Sequence, residues 1–491
     1  MSAVKEASFL REALWREKIF NGEWINALGG VNPVREPATN TQLTCTGLAG
    51  TEDVRIACAT ASKAQPAWHA MGPREKAMIF HRAANYAEAH FAELALFIAR
   101  ETGGSVLKGS HEMREAIVLL HQAAGMLSQG HGLVMPSQAG RLSYARRVPH
   151  GVVGVISPFN FPLILSLRSV APALAAGNAV VLKPDPQTPI TGGFLIARLF
   201  EAAGLPQGLL HVLPGHAEAG QALCENPQVG MIAFTGSTAA GRKVAETAGR
   251  TLKKVALELG GKNSLIVLED ADLELAASNA AWGAWLHQGQ ICMATGLILA
   301  HRSIADELTR LLVDKARALT VGNAARGEAH LGPLINERQH ARVCQIVDDS
   351  VAAGARLEVG GPAEALFYKP SVLSGVRPGM RAFDEEIFGP VACVVAFDDD
   401  DEAVELANAS EYGLAAAVIS PSLGRAMAIG ERLHSGLLHI NDQTVADECI
   451  NPFGGRGNSG NGGNVGGPAD WDEYTQWQWV TVKDTPPRYP F

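Results

Sequence analysis

Cys292 and Glu258 are the residues of this 491-residue chain best placed to do covalent chemistry. Cys292 lies in His287-Gln288-Gly289-Gln290-Ile291-Cys292-Met293, a break that follows a helical stretch carrying Trp282 and Trp285. A cysteine at a break near helix termini can hold its sulfur as the nucleophilic thiolate, whereas most cysteines are small buried hydrophobes. Glu258 sits in Leu257-Glu258-Leu259-Gly260-Gly261-Lys262, an apolar run closed by two glycines. Burial would raise its pKa toward the range that suits a general base; a solvated glutamate at a strand end is the alternative. Phe234-Thr235-Gly236-Ser237-Thr238 closes one strand and opens a helical segment over 239–248. Such a turn offers free N–H groups and a positive dipole end to a pyrophosphate, or is a serine-capped helix with no ligand. Lys183, in Val180-Val181-Leu182-Lys183-Pro184, can reach a ribose hydroxyl, a phosphate or solvent.

The elements that must carry these groups alternate. From Arg146 onward, short β-branched runs bounded by Gly or Pro are expected at 152–156, 179–182, 209–213, 231–234 and 255–257, with helical spacing between them. That is the pattern of β-α-β units and a parallel sheet, whose ligands gather at the carboxyl ends of strands. The first ~130 residues read mostly as helix. A second α/β unit is expected from near Asn263 to about Phe453, a loop over 454–467 and a terminal strand closing 471–482. The acidic run 398–401 reads as the capping region of the helix after it. The tryptophans at 282 and 285 read as helix core.

Composition limits the rest. A formal charge of −9, from 41 basic and 50 acidic residues, argues against nucleic acid as a partner. The 47% hydrophobic content suits a folded globular chain. No apolar run approaches the ~20 residues that span a bilayer, and the first residues lack a secretory signal pattern, so a cytoplasmic location is expected, with no membrane partner. Seven scattered cysteines without a C-x-x-C pair point away from disulfides and from a metal site. One formal G-x-G-x-x-G, at Gly455, Gly457 and Gly460, follows Pro452-Phe453 and opens no helix, so it is not read as a dinucleotide fingerprint. No G-K-[ST], H-E-x-x-H or G-x-S-x-G motif is present.

In order along the chain, Pro158-Phe159-Asn160-Phe161-Pro162, the Lys183 turn, Phe234-Thr235-Gly236-Ser237, Glu258-Leu259-Gly260-Gly261-Lys262, Gly289-Gln290-Ile291-Cys292, Glu386-Ile387-Phe388-Gly389-Pro390 and Pro452-Phe453-Gly454-Gly455 resemble the aldehyde dehydrogenase superfamily. Leu167-Arg168-Ser169-Val170-Ala171-Pro172 and the tail Tyr474-Thr475-Gln476-Trp477-Gln478-Trp479 look most like its benzaldehyde and vanillin dehydrogenase branch. The resemblance implies an α/β fold in three parts. These are a Rossmann-like cofactor domain (1–140 and 152–260), an α/β catalytic domain (261–467) and a small β oligomerisation arm (141–151 and 468–491), assembled as a homodimer or homotetramer. It implies Cys292 as nucleophile, Glu258 as base for hydrolysis and Asn160 as the side-chain donor to the oxyanion. Lys183, Ser237, Glu386 and Phe388 would bind the cofactor, with Ile156, Ser157, Pro158, Phe159, Asp185, Gly236 and Leu259 around them. Phe161, Leu165, Arg168, Leu286, Ile291 and Met293 match the pocket walls.

The implied activity is NAD(P)-dependent oxidation of an aromatic aldehyde to the acid. A semialdehyde or aliphatic aldehyde is the second reading, and a non-catalytic binding or structural protein that keeps the fold is a third. Glu258 favours hydrolysis over transfer to coenzyme A or phosphate. Many NAD-preferring members carry a glutamate three residues after the lysine; here that position is Pro186. NAD is the expected cofactor, and NADP is left admissible. Arg168 either pairs with a substrate carboxylate or is held in a structural ion pair.

Overall fold

The structure is a computed structural model and describes residues 9–491. Five parallel strands form the heart of its first sheet, in the spatial order Lys254–Glu258, Val229–Thr235, Val152–Ile156, Ala179–Lys183, Leu210–Val212. Lys18–Asn21 continues the sheet antiparallel to Leu210–Val212, and Trp24–Asn26 pairs antiparallel with Lys18–Asn21. Val152–Ile156 and Ala179–Lys183 are buried along their whole length, which is why their sequences run as unbroken apolar stretches where a one-sided strand would alternate. The chain moves outward from Val152–Ile156 in one direction and then returns to its other side with Val229–Thr235. That reversal opens a crevice at the carboxyl ends of both strands, the usual ligand position in open α/β sheets.

The second sheet has the order Arg356–Pro362, Tyr368–Ser374, Val391–Phe397, Thr295–His301, Asn263–Val267, Ala415–Ile419, Leu437–Ile440. Only Arg356–Pro362 runs antiparallel to its neighbour. The chain passes between the sheets over four residues, Leu259 to Lys262, so the carboxyl end of Lys254–Glu258 is set against the amino end of Asn263–Val267. A third sheet pairs Thr475–Val482 antiparallel with Leu142–Pro149, which also pairs with Gly132–Val134.

Several expectations are corrected. The first ~130 residues are mostly helix, as expected, but four short strands that were not expected, Lys18–Asn21, Trp24–Asn26, Val31–Arg35 and Gln42–Gly47, follow the helix Glu12–Trp15 and precede the long helices. Helices occupy Thr51–Ala70, Pro73–Ala89, Phe91–Thr102 and Val106–Met126. Those strands are three to six residues long and half-exposed, so they carry little periodic signal. Trp285 is buried in helix Leu273–Trp285, but Trp282 is 57% exposed and is not core. The acidic run does cap its helix: Asp399 accepts from the Glu402 N–H at 2.9 Å and opens Asp400–Asn408. Among the described residues no helix is long and apolar enough to cross a membrane.

Candidate active site

Cys292 is presented on a turn held from several sides. The residues leading to it, His287, Gln288 and Gly289, have φ of 48°, 58° and 65°, a left-handed run that non-glycine residues adopt only when their surroundings impose it. The Gln288 side chain donates to the Gly103 carbonyl at 3.0 Å, and Gln290 Oε1 accepts from Ile335 N–H at 3.0 Å. After the turn, Asn263 Nδ2 donates to the carbonyls of Cys292 and Ala294, both at 2.8 Å. Thr444 Oγ1 donates to the Met293 carbonyl at 2.7 Å. Asn160 Nδ2 donates to the Gln290 carbonyl at 2.9 Å, placing its amide beside the turn.

The two glycines after Glu258 are required by close approach. A Cβ on Gly260 would lie 2.3 Å from Glu386 Oε2, and one on Gly261 would lie 2.6 Å from the Cys292 carbonyl. Gly261 N–H donates to Glu386 Oε1 at 3.0 Å. Three distant sequence motifs thus meet at the seam between the two large sheets.

Glu258 is buried, and neither carboxylate oxygen has a hydrogen-bond partner. Desolvation holds its pKa well above the ordinary carboxylate range; Arg168 opposes the rise, while Glu473 and Asp447 add to it. The base-like environment expected for a buried Glu258 is present. The Cys292 thiol differs from expectation: its pKa is pushed up to about 12, not lowered. Burial is the main cause, and the carboxylates of Glu386, Glu258 and Asp447 add to it. The Met293 N–H lowers it but does not offset these effects. The thiol is therefore held protonated until a proton acceptor or a bound cation alters the balance.

At the carboxyl ends of the first sheet, Ser237 caps helix Thr238–Gly249, its Oγ accepting from the Ala240 N–H at 3.4 Å. Gly236 N–H donates to the Glu258 carbonyl at 3.0 Å, tying the turn to the next strand. Lys183 is buried, and its Nζ donates to the carbonyls of Gly215 at 2.8 Å and Pro184 at 3.3 Å, so it does not run to solvent. Asp185 Oδ1 accepts from Gln187 N–H at 2.9 Å, and the Pro186 carbonyl accepts from Asn32 at 2.7 Å. Ile156 and Leu259 are buried, Pro158 and Phe159 half-buried, and Ser157 Oγ lies 2.6 Å from Ser166 Oγ. Phe159 meets Phe388 edge-to-face at 6.0 Å, and Phe388 has a φ of 55°. Glu386, half-buried, has its pKa raised to about 7, mainly by desolvation. Free helix N–H groups, a buried ammonium and a carboxylate around one crevice are the donor set and acceptor that a pyrophosphate with two riboses needs.

On the other side of Cys292, Phe161, Leu165 and Leu286 are half-buried, while Ile291 and Met293 are buried. The Phe161 ring meets His287 edge-on at 5.3 Å and lies 4.6 Å from the Lys108 ammonium. Arg168 donates Nη1 and Nη2 to the two oxygens of Asp447, each at 2.9 Å, an ion pair within the protein. Reading the sequence did not single out Asp447, Asn263 or Thr444. Asp447 lies 279 residues from Arg168, and no local spacing links them. The glycine-rich 454–467 segment is a loop, as expected, and covers the edge strand bearing Glu258. Asn461 donates to the Val255 carbonyl at 2.7 Å and accepts from Leu257 N–H at 3.0 Å, while Leu259 N–H donates to the Ser459 carbonyl at 2.9 Å.

The aldehyde dehydrogenase family model matches residues 24–480, and the chain belongs to the aldehyde dehydrogenase family. It is 50% identical over 485 residues to a vanillin dehydrogenase of an Amycolatopsis species, covering 99% of this chain and 100% of the relative. It is 49% identical over 481 residues to the benzaldehyde dehydrogenase [NAD(+)] of Pseudomonas putida, covering 98% of this chain and 99% of the relative. Among solved structures, betaine aldehyde dehydrogenase from Staphylococcus aureus in complex with NAD+ superposes with a TM-score of 0.94 at 29% identity, covering 98% of both chains.

Proposed function

We propose that the protein oxidises aromatic aldehydes such as benzaldehyde, or a ring-hydroxylated relative, to the carboxylic acid with NAD. The observation that carries the reading is the meeting of Cys292, Asn160 and Glu258 beside a strand-end crevice with the donor set for a dinucleotide. The vanillin and benzaldehyde relatives, near 50% identical over the whole chain, support the aromatic substrate. So do the mostly apolar walls at Phe161, Leu165, Leu286, Ile291 and Met293.

Cys292 Sγ attacks the aldehyde carbon after its proton is taken up. The oxygen that gains charge is stabilised by Asn160 Nδ2 and by the Cys292 N–H; removing such a donor typically costs ~10²–10³ in rate. A nicotinamide cofactor bound at the crevice supplies the hydride acceptor. Lys183 and the Ser237 turn would hold its adenosine ribose and pyrophosphate, and Glu386 with Phe388 would hold the nicotinamide ribose. Glu258, unpaired and desolvated, takes a proton from the water that hydrolyses the Cys292 thioester and releases the acid.

The same reading assigns cofactor binding to 1–140 and 152–260, the catalytic thiol to 261–467, and oligomerisation to 141–151 with 468–491. Trp477 and Trp479, two residues apart on one face of this last sheet, are exposed, and an exposed aromatic face of this kind fits a homodimer or homotetramer. The expected location is cytoplasmic.

Absorbance of reduced nicotinamide, with purified protein and benzaldehyde in the absence of coenzyme A and phosphate, tests the proposal. NAD and NADP are run in parallel. Signal accompanied by benzoate is expected, faster with NAD; silence with both cofactors refutes it.

A further inference from the structure

The Arg168–Asp447 pair forms an asymmetric wall. Arg168 keeps 4% of its side chain exposed and Asp447 keeps 19%. Both Nη atoms of Arg168 donate to Asp447, its guanidinium lies 4.7 Å from the Phe453 ring centre, and its buried Nε has no partner. The pair stands at the reactive centre. Thr444, three residues before Asp447, is bonded to the carbonyl of Met293. Asp447 is also among the three carboxylates whose charge acts on the Cys292 thiol, with Glu386 and Glu258. Of the pair, the carboxylate is the more exposed member, and the Arg168 guanidinium is more deeply buried and already paired.

We infer that Asp447 determines the charge selectivity of the site: by holding Arg168 in a two-point ion pair it withholds that guanidinium from an anionic aldehyde and restricts turnover to uncharged aldehydes. The inference rests on the proposed aldehyde oxidation at Cys292. Like charge placed across an interface suppresses wrong partners, and a guanidinium left unpaired in a desolvated site captures carboxylates by two parallel hydrogen bonds. Selectivity here comes from a residue that masks a cation instead of one that contacts the ring.

The test compares kcat/KM with NAD for benzaldehyde, 4-carboxybenzaldehyde and its uncharged near-isostere 4-formylbenzamide. The wild-type protein is expected to turn over the anion at least about tenfold less efficiently than the amide, on the scale of one poorly compensated charge contact. Asp447→Asn, which keeps the shape and frees Arg168, is expected to shift that ratio toward the anion by about tenfold or more, mainly through a lower KM. Adding Arg168→Met to Asp447→Asn should remove the gain. A merely structural role would depress all three substrates together and leave the ratio in place, which overturns the inference. Equal wild-type use of anion and amide overturns it as well, and that comparison needs no variant to fold. Wild-type protein inert toward all three aldehydes would count against the proposed oxidation itself; benzaldehyde turnover without discrimination would count against Asp447 alone.

Discussion

Replacing Glu258 by glutamine isolates hydrolysis from the steps before it. Both carboxylate oxygens are buried without hydrogen-bond partners, so the amide breaks no existing contact and fills nearly the same volume. The loss should therefore fall on proton transfer. A positioned general base is worth ~10²–10⁴ in rate, which is about 3–6 kcal/mol of barrier at about 1.4 kcal/mol per tenfold. Steady-state turnover should drop by that factor while acylation continues. Rapid-mixing absorbance should then record a burst of reduced nicotinamide close to one per active site. The pH profile supplies a second readout. Burial keeps the Glu258 proton on to a higher pH than an ordinary glutamate, so the working, deprotonated form accumulates only above the usual carboxylate range. Wild-type turnover should rise with pH through that raised value, and Glu258→Gln should lack the rise. Undiminished steady-state turnover, or an identical acid limb in the variant, would refute the assignment.

Cys292→Ala should abolish oxidation while NAD still quenches protein fluorescence on binding; residual turnover at wild-type level would remove the nucleophile. Asn160→Ala should lower kcat by ~10²–10³ through loss of one preorganised donor. Its hydrogen bond to Gln290 is worth only about 1 kcal/mol of stability, so thermal unfolding and turnover measured together separate the two effects. Trp479→Asp places a charge on the exposed face of the third sheet and should shift the particle to a smaller assembly in analytical ultracentrifugation; an unchanged sedimentation coefficient would exclude that face from the interface.

The central strands were legible because full burial writes itself as uninterrupted β-branched runs. Val152–Ile156 was expected at its observed limits, and Ala179–Lys183 extends the expected run by a single residue. The short strands before residue 50 were not, since half-exposed segments of this length lack a period. The glycines at 260 and 261 could be read as a turn, but the reason for them, contact with Glu386 and with the Cys292 carbonyl, exists only after two sheets meet. Asp447 and Asn263 belong to the same class, joined to the site across long stretches of chain. The thiol at Cys292 was misjudged for a related reason: a break after a helix says where a sulfur is exposed, while its acidity depends on carboxylates contributed by three other segments.

The third sheet also sets a timetable. Leu142–Pro149 pairs along its whole length with Thr475–Val482, and the Ser143 to Trp479 hydrogen bond spans 336 residues. A ribosome adding roughly 5–20 residues per second needs on the order of 15–70 s to deliver the second strand after the first. Throughout that interval Leu142–Pro149 offers an unpaired edge, the template for mispairing with a neighbouring chain. The edge at Glu258 waits roughly 10–40 s for the Ser459–Asn461 loop at the same rate, so newly made chains carry two open edges until late in synthesis. Solubility during expression thus depends on residues 459–482, and truncations there should aggregate rather than yield a smaller active enzyme.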